Sequence, residues 1–361
     1  MTRVTALRTT QLVVPLPKPI MSGLGPLTTT GVLLVFLETD QGVVGENLVF
    51  TLNNKRLAML DAMVRSLEPL VVGADPHFSA RFWSDAWREI NFFGHAGVAV
   101  MGISAIDGAL WDLRGKLANL PIHRLIGAQR STVPAYASAG LWLSSSIDEL
   151  QAEAQGFLDQ GFRAMKMRLG KPTAAEDAER VAAVRAAIGP GIALMADANQ
   201  QLTVERAIRL GRLLEPHGLN WFEEPLPAYD LEGVARVAAA LDTPIASGET
   251  EYTRYGFRRM LELKSADVLM PDLQRVGGVT EFLRVSHMAD AFDVPVSSHL
   301  FPEMSIQVLA ALGNATWLEH MPWFQPLYAG ALELRDGAAV VPEAPGWGLP
   351  LDPAAIDRYR A

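Results

Sequence analysis

The 361 residues include no cysteine. That absence excludes disulfides, thiolate nucleophiles and zinc–sulfur centres, and it suits a reducing, cytoplasmic compartment. Long apolar runs are missing as well; no stretch nears the roughly 20 residues that a membrane-spanning helix needs. Positive charge is in deficit. Lysine and arginine total 31 against 40 aspartates and glutamates, a formal net charge of −9, which argues against a nucleic-acid partner. The opening MTRVTALRTTQLVVPLP carries Arg3 and Arg8 but no long apolar core and no small-residue cleavage site. It reads as a β-strand rather than a signal peptide. What is present is 49% hydrophobic with a mean hydropathy of +0.15. This is the composition of a soluble globular protein with ample core and no membrane partner.

Residues 1–55 read as an antiparallel β region, with strands near 4–14 and 30–37 and a hairpin bracketed by Gly42 and Gly45. Between them PKPIMSGLGPLTTT (17–30) reads as a loop, either plain surface or a flap over a site. Residues 55–127 turn helical, with Leu57, Leu60, Met63, Val64, Leu67 and Leu70 at helical spacing. A second helix follows Asp75-Pro76, and an Ala/Gly/Ile-rich third spans 98–117. Its Asp107 and Asp112 read as buried and paired or cap-linked. Phe92, Phe93 and His95 read as core of this region, with substrate contacts as the alternative. From Thr132 short apolar runs alternate regularly with amphipathic segments, ending in TWLEH (316–320) as an eighth strand. The pattern predicts a (β/α)7β barrel, a modified TIM barrel, over 128–326. An N-terminal α+β capping domain covers 1–127, and a segment 327–361 returns to it.

Nearly every predicted barrel strand ends in a polar side chain: Ser138, Lys166 with Arg168, Asp197 with Asn199, Glu223, Glu249, Asp272, His299 and Glu319. In a barrel these ends form one mouth. MADANQ (195–200), WFEEP (221–225) and IASGE (245–249) would then converge Asp197, Glu223 and Glu249, three hard oxygen ligands of a Mg²⁺-type site. Lys166 and Arg168, two apart on one strand, share a face. Asp272 and His299 end consecutive strands; a carboxylate beside an imidazole fixes its tautomer, raises its pKa and makes a general acid/base. The set fits removal of a proton next to a carboxylate. Mg²⁺ and Lys166 would offset the developing charge, and Glu319, if burial keeps it protonated, would donate a hydrogen bond.

MKMR (165–168), MADANQ, WFEEP, SGE (247–249), MPDLQRVGGVTE (270–281), VSSHLFPE (296–303) and WLEH (317–320) together resemble the enolase superfamily, mandelate racemase subgroup (the mandelate racemase/muconate lactonizing enzyme family), over nearly the whole chain. The resemblance implies Mg²⁺ bound by Asp197, Glu223 and Glu249, an acid/base dyad of Asp272 and His299, and Glu319 and Lys166 at the substrate carboxylate or enediolate. Ser138, Asn199 and Arg275 would line the site, and segments 20–30 and 50–54 would select the substrate. It also implies a homo-oligomer, often an octamer. One position departs: the second lysine of the family's Lys-x-Lys motif is Arg168. Arginine, with a pKa above about 12, is a poor proton acceptor, so a two-base racemase of 2-hydroxy acids becomes the runner-up. A one-base dehydratase of acid sugars, aldonate or aldarate to the 2-keto-3-deoxy acid, is the leading expectation. A non-catalytic metabolite-binding barrel is the alternative of another class. Trp142, Tyr252 and Trp323 carry no legible motif but are placed to influence substrate choice.

Overall fold

The computed structural model describes residues 2–22 and 25–361. It opens with a three-stranded antiparallel sheet: β1 (Val4–Ser22), β2 (Gly25–Thr39) and β3 (Val44–Leu52). The run LLVFL in β2 has apolar residues on both faces because the sheet is covered on both. Val32, Leu34, Leu48 and Phe50 join the large core shared with the barrel. Leu33, Val35, Leu37 and Val49 pack into a second core with the helices that follow, as the period of two requires. Those helices are α1 (Leu57–Ser66), α2 (Ser79–Glu89), α3 (Val98–Ala118) and the short α4 (Ile122–Ile126).

The expected loop at 17–30 is instead the outer part of the β1–β2 hairpin, with residues 23–24 outside the described set. Register continues from Ile20↔Leu27 to Ser22↔Gly25 after a shift between Pro15 and Ile20. Pro17 and Pro19 fall inside that shift, where a missing N–H leaves no ladder bond unmade. In the sequence the proline punctuation reads as a loop; in the structure it marks a bulge in a long arm.

The barrel alternates β4 (Thr132–Ala137), α5 (Ile147–Asp159), β5 (Ala164–Arg168), α6 (Ala174–Ile188), β6 (Ala193–Asp197), α7 (Val204–Leu214), β7 (Trp221–Glu223), α8 (Leu231–Ala238), β8 (Ile245–Ser247), α9 (Thr253–Leu263), β9 (Val268–Leu269), α10 (Leu273–Val276) and α11 (Val279–Asp290), then α12 (Pro302–Leu309) and β10 (Leu318–His320). β4 to β9 are parallel neighbours in order, and β10 closes the ring on β4. The seventh expected strand, 294–299, is only a bridging segment, with pairs Leu269↔Val296, Asp272↔His299 and Val296↔Ala315. Pro295 removes one donor there. The remaining N–H groups still alternate between both neighbours, from Ser297 to the Leu269 carbonyl and from Ser298 to the Trp317 carbonyl.

Tyr136, Ala164, Met195, Trp221, Ala246, Val268 and Met270 fill the barrel interior as an apolar plug. Two residues along the same strands come Ser138, Lys166, Asp197 and Glu223, so the charged layer sits directly above the plug.

The tail divides its contacts. β11 (Leu334–Arg335) and β12 (Ala338–Val340) form a hairpin, and β12 pairs antiparallel with β4. Farther on, the Trp347 indole donates to the Glu46 carbonyl at 2.9 Å and the Ala361 N–H to the Gln11 carbonyl at 3.0 Å. α13 (Pro353–Tyr359) ends the chain.

Asp107 and Asp112 on α3 are buried junction groups. Asp107 accepts from the Thr280 N–H at 2.9 Å and hydroxyl at 2.5 Å, tying α3 to α11. Asp112 accepts from the Glu46 and Trp347 N–H groups at 2.8 and 2.9 Å. The expectation of core placement fails for Phe92 and Phe93, which are 93% and 80% exposed. Phe92 ends, and Phe93 caps, a single 3-10 turn after α2 that buries Ile90 and turns its other side to solvent. His95 stacks on Trp87 at 3.7 Å. Among the described residues no helix is long and apolar enough to cross a membrane.

Candidate active site

The mouth of the barrel collects every residue singled out from the strand ends. Asp197, Glu223 and Glu249 bring carboxylate oxygens within 4.8 Å of one another. Register explains it, since Arg168↔Asp197 and Asp197↔Glu223 are paired neighbours on β5, β6 and β7. Asp197 is held by the Asn199 N–H at 2.8 Å and side-chain amide at 3.0 Å. Glu223 accepts the Trp221 indole N–H at 2.8 Å. Glu249 sits under Arg275, whose guanidinium donates at 2.8 Å to the Glu249 carbonyl.

Lys166 is 1% exposed, and its Nζ lies 2.6 Å from Glu223, 2.9 Å from Glu319 and 3.6 Å from Asp197. Burial opposes its charge, but Glu223 and Glu319 hold the ammonium well above the ordinary lysine value. Arg168 donates to the Ser138 hydroxyl at 3.2 Å and lies 3.6 Å from Asp197 and 4.8 Å above the Trp142 ring. Its Nη1 is buried without a partner. Burial again opposes the charge; Asp197, Glu319 and Glu223 prevail, keeping the guanidinium protonated. The two like charges coexist because carboxylates separate them.

Carboxylates are still in excess. Burial, and then Asp197, Glu319 and Glu249, push the Glu223 carboxyl up to about 8 against the pull of Lys166. A buried cluster that cannot stay fully ionised on its own fits a divalent cation: the donors are all hard oxygens, close together and short of positive charge. Asp197, Glu223 and Glu249 would hold Mg²⁺.

On the far side, His299 Nδ1 lies 2.7 Å from Asp272, whose other oxygen accepts the N–H groups of Gln274 and Arg275 at 2.9 and 2.8 Å. The dyad is thus anchored to the start of α10. His299 Nε2 faces inward, 3.3 Å from Glu249. Burial disfavours the imidazolium, but Glu249 and the bond to Asp272 raise the pKa above the ordinary 6.5.

Glu319 corrects an expectation. A protonated, donating Glu319 would require burial to dominate. Burial is outweighed by Lys166, His299, Arg168 and the Leu300 N–H, which hold the carboxyl below the usual range. Glu319 is an ionised acceptor, taking bonds from the Ser138 hydroxyl and the Leu300 N–H, each at 2.7 Å.

Sequence reasoning passed over Glu224. It is 2% exposed with a left-handed φ of 39°. One oxygen takes the Gln200 amide at 2.8 Å, and the other has no partner. Burial, Glu249 and Asp197 raise its carboxyl well above the usual range. The only signal was the acidic doublet in WFEEP. Tyr136, whose ring lies 5.5 Å from Lys166 Nζ, was hidden as an ordinary strand aromatic.

Residues 5–127 match the family model "Mandelate racemase / muconate lactonizing enzyme, N-terminal domain", and 149–355 match "Enolase C-terminal domain-like". The chain belongs to the mandelate racemase/muconate lactonizing enzyme family of the enolase superfamily. Within this family it is 35% identical to L-talarate/galactarate dehydratase of Salmonella typhimurium over 332 residues, covering 91% of this chain and 83% of that enzyme. A crystal structure of L-talarate dehydratase from a Polaromonas species, complexed with Mg and L-glucarate, superposes with a TM-score of 0.95 at 34% identity, covering 100% of this chain and 98% of that one. A racemase from Streptomyces coelicolor with bound magnesium also gives 0.95 at 33% identity, covering 99% and 100%.

Proposed function

We propose that this enzyme uses Mg²⁺ to remove the proton next to a substrate carboxylate and dehydrates an acid sugar to its 2-keto-3-deoxy acid. The observation that carries the reading is the asymmetry of the mouth. His299, tuned by Asp272, faces the carboxylate triad from one side, while Arg168, which stays protonated, stands beside Asp197. That supplies one base, not two.

Bound at Asp197, Glu223 and Glu249, Mg²⁺ would polarise the substrate carboxylate and make the neighbouring C–H more acidic. Lys166 adds a fixed positive charge where enediolate charge develops. Neutral His299 accepts the C2 proton at Nε2 while Asp272 steadies the imidazolium. The same imidazolium then returns the proton to the departing C3 hydroxyl, so water leaves and the enol tautomerises to the ketone. Arg168 and Ser138 hold substrate oxygen, and Glu319 fixes Lys166 and the Leu300 turn. Asn199 and Arg275 act by orienting Asp197 and Glu249. Semicarbazone detection of 2-keto acid from a panel of aldonates and aldarates tests this; α-deuterium exchange without dehydration would instead favour racemisation, the activity named for the S. coelicolor relative.

The division at 1–127, 128–326 and 327–361 belongs to this reading, as does a homo-oligomer. Exposed Phe92 and Phe93 supply apolar surface for the latter, and sedimentation velocity is its test.

A further inference from the structure

Phe50, on β3, touches the supports of both members of the Asp272–His299 dyad. Its main chain is held on the Asp272 side. β3 is the edge strand of its sheet, and a side chain completes that edge. The Phe50 N–H donates to the Gln274 side-chain oxygen at 2.7 Å, and the Gln274 amide donates to the Phe50 carbonyl at 3.1 Å. The backbone N–H of the same Gln274 donates to Asp272 at 2.9 Å. Alongside, the Ser104 hydroxyl of α3 donates to the Leu273 carbonyl at 2.7 Å. The capping domain thus grips the first turn of α10, the turn that anchors Asp272.

The Phe50 ring lies on the His299 side. It meets Phe301, two residues beyond His299, edge-on at 5.5 Å, and Phe324 at 5.1 Å, while Phe301 and Phe324 stack at 5.2 Å. The turn there needs support. Leu300 and Phe301 both have a φ of 50°, a left-handed backbone that residues with side chains seldom keep unless their surroundings impose it. Glu319 takes the Leu300 N–H at 2.7 Å, and the Ser305 hydroxyl donates to the Leu300 carbonyl at 3.0 Å. The aromatic cluster does the same for Phe301, which is buried within it.

We infer that Phe50 and Gln274 are positioning residues for the acid/base dyad: the strand edge holds the helix that starts at Asp272, the ring holds the turn that follows His299, and the capping sheet sets how the two meet. The inference rests on the reading above that His299 is the base. A carboxylate bonded to one ring nitrogen keeps the proton there. At 2.7 Å Asp272 faces Nδ1, which leaves Nε2 as the acceptor. A loosened clasp therefore shows as loss of the single tautomer.

The test is ¹⁵N NMR of the histidine-labelled, Mg²⁺-loaded protein at a pH where the His299 ring is neutral, with its signals assigned by their loss in His299→Asn. The parent protein should carry the proton on Nδ1 alone. Gln274→Leu removes both bonds to Phe50; Phe50→Leu keeps them and removes the ring from Phe301. Each should give a mixture of tautomers with Mg²⁺ affinity retained. Gly45→Ala strains the same sheet against α3 without touching the clasp; it should lower stability and leave the proton on Nδ1. A single Nδ1–H tautomer in either clasp variant once folded, a mixture in the parent, or the same mixture in Gly45→Ala overturns the inference. Because the ring is read and not turnover, a protein that dehydrates no acid would contradict the reaction and leave the clasp standing.

Discussion

Arg168 occupies the place where a lysine would give the site a second base, and its surroundings keep it charged. Asp197, Glu319 and Glu223 all favour the guanidinium, which leaves His299, outside the metal triad and held by Asp272, as the base that the mouth offers. His299→Asn should lower turnover by about 10³-fold, within the usual range for a lost general base, with retained Mg²⁺ binding showing that the site is intact. Arg168→Lys should do something qualitatively different: α-deuterium should wash in from both faces of a 2-hydroxy acid, where the parent protein exchanges one face only, as NMR of recovered substrate would show. The histidine itself can be followed. Its raised pKa owes most to Glu249 once burial is overcome. In the metal-free protein its imidazole signal should therefore titrate above 6.5, and Mg²⁺, by neutralising Glu249, should move the midpoint down. Because abstraction requires the neutral ring, activity should rise with pH through that midpoint.

Elements hold these residues through close approaches that leave little slack. Strand β3 lies on α3 at Gly45, where a Cβ would come within 2.3 Å of the Ala109 carbonyl and 2.6 Å of the Leu113 Cβ. Gly45→Ala should destabilise by about 1–3 kcal/mol, the usual cost of overpacking, read as a lowered midpoint in urea unfolding. The α3–α11 junction carries a pH signature. Burial raises Asp107 from 3.8 to about 7 despite its bonds from Thr280. The folded state therefore holds the proton more tightly than the unfolded chain. The stability this contributes is complete below 3.8 and is lost as pH rises to about 7. The stability of the parent protein relative to Asp107→Asn should fall across that window. These junctions explain what could be read from the chain. The strand-end carboxylates, Lys166 and His299 were legible because period-two strands and a repeating β/α alternation leave one place for them. The arm was not, because prolines in a bulge look like prolines in a loop. The ionised state of Glu319 was not either, because it depends on Lys166, Arg168 and His299 meeting from three other segments of the chain. Exposure of Phe92 and Phe93 was equally hidden, since hydrophobicity alone cannot tell which side of one short turn is buried.

As a whole molecule the protein is a barrel whose charged mouth is roofed by a sheet that shares its core. The same sheet carries the arm, and the bonds between Phe50 and Gln274 tie that sheet to the helix that starts at Asp272. Metal binding should be felt globally: at about 100 times the dissociation constant, Mg²⁺ should add about 2.7 kcal/mol by mass action, and EDTA should reverse the gain in thermal midpoint. Glu223→Gln should abolish most of it. Mg²⁺-dependent, one-base dehydration served by His299 can be assayed by incubating the Mg²⁺-loaded protein with a panel of aldonic and aldaric acids and measuring 2-keto-3-deoxy product. Product from a defined configuration at carbons 2 and 3, lost with EDTA and with His299→Asn, is the predicted result. Undiminished product from the His299→Asn protein, or neither product nor α-deuterium exchange from any acid with metal bound, would contradict it.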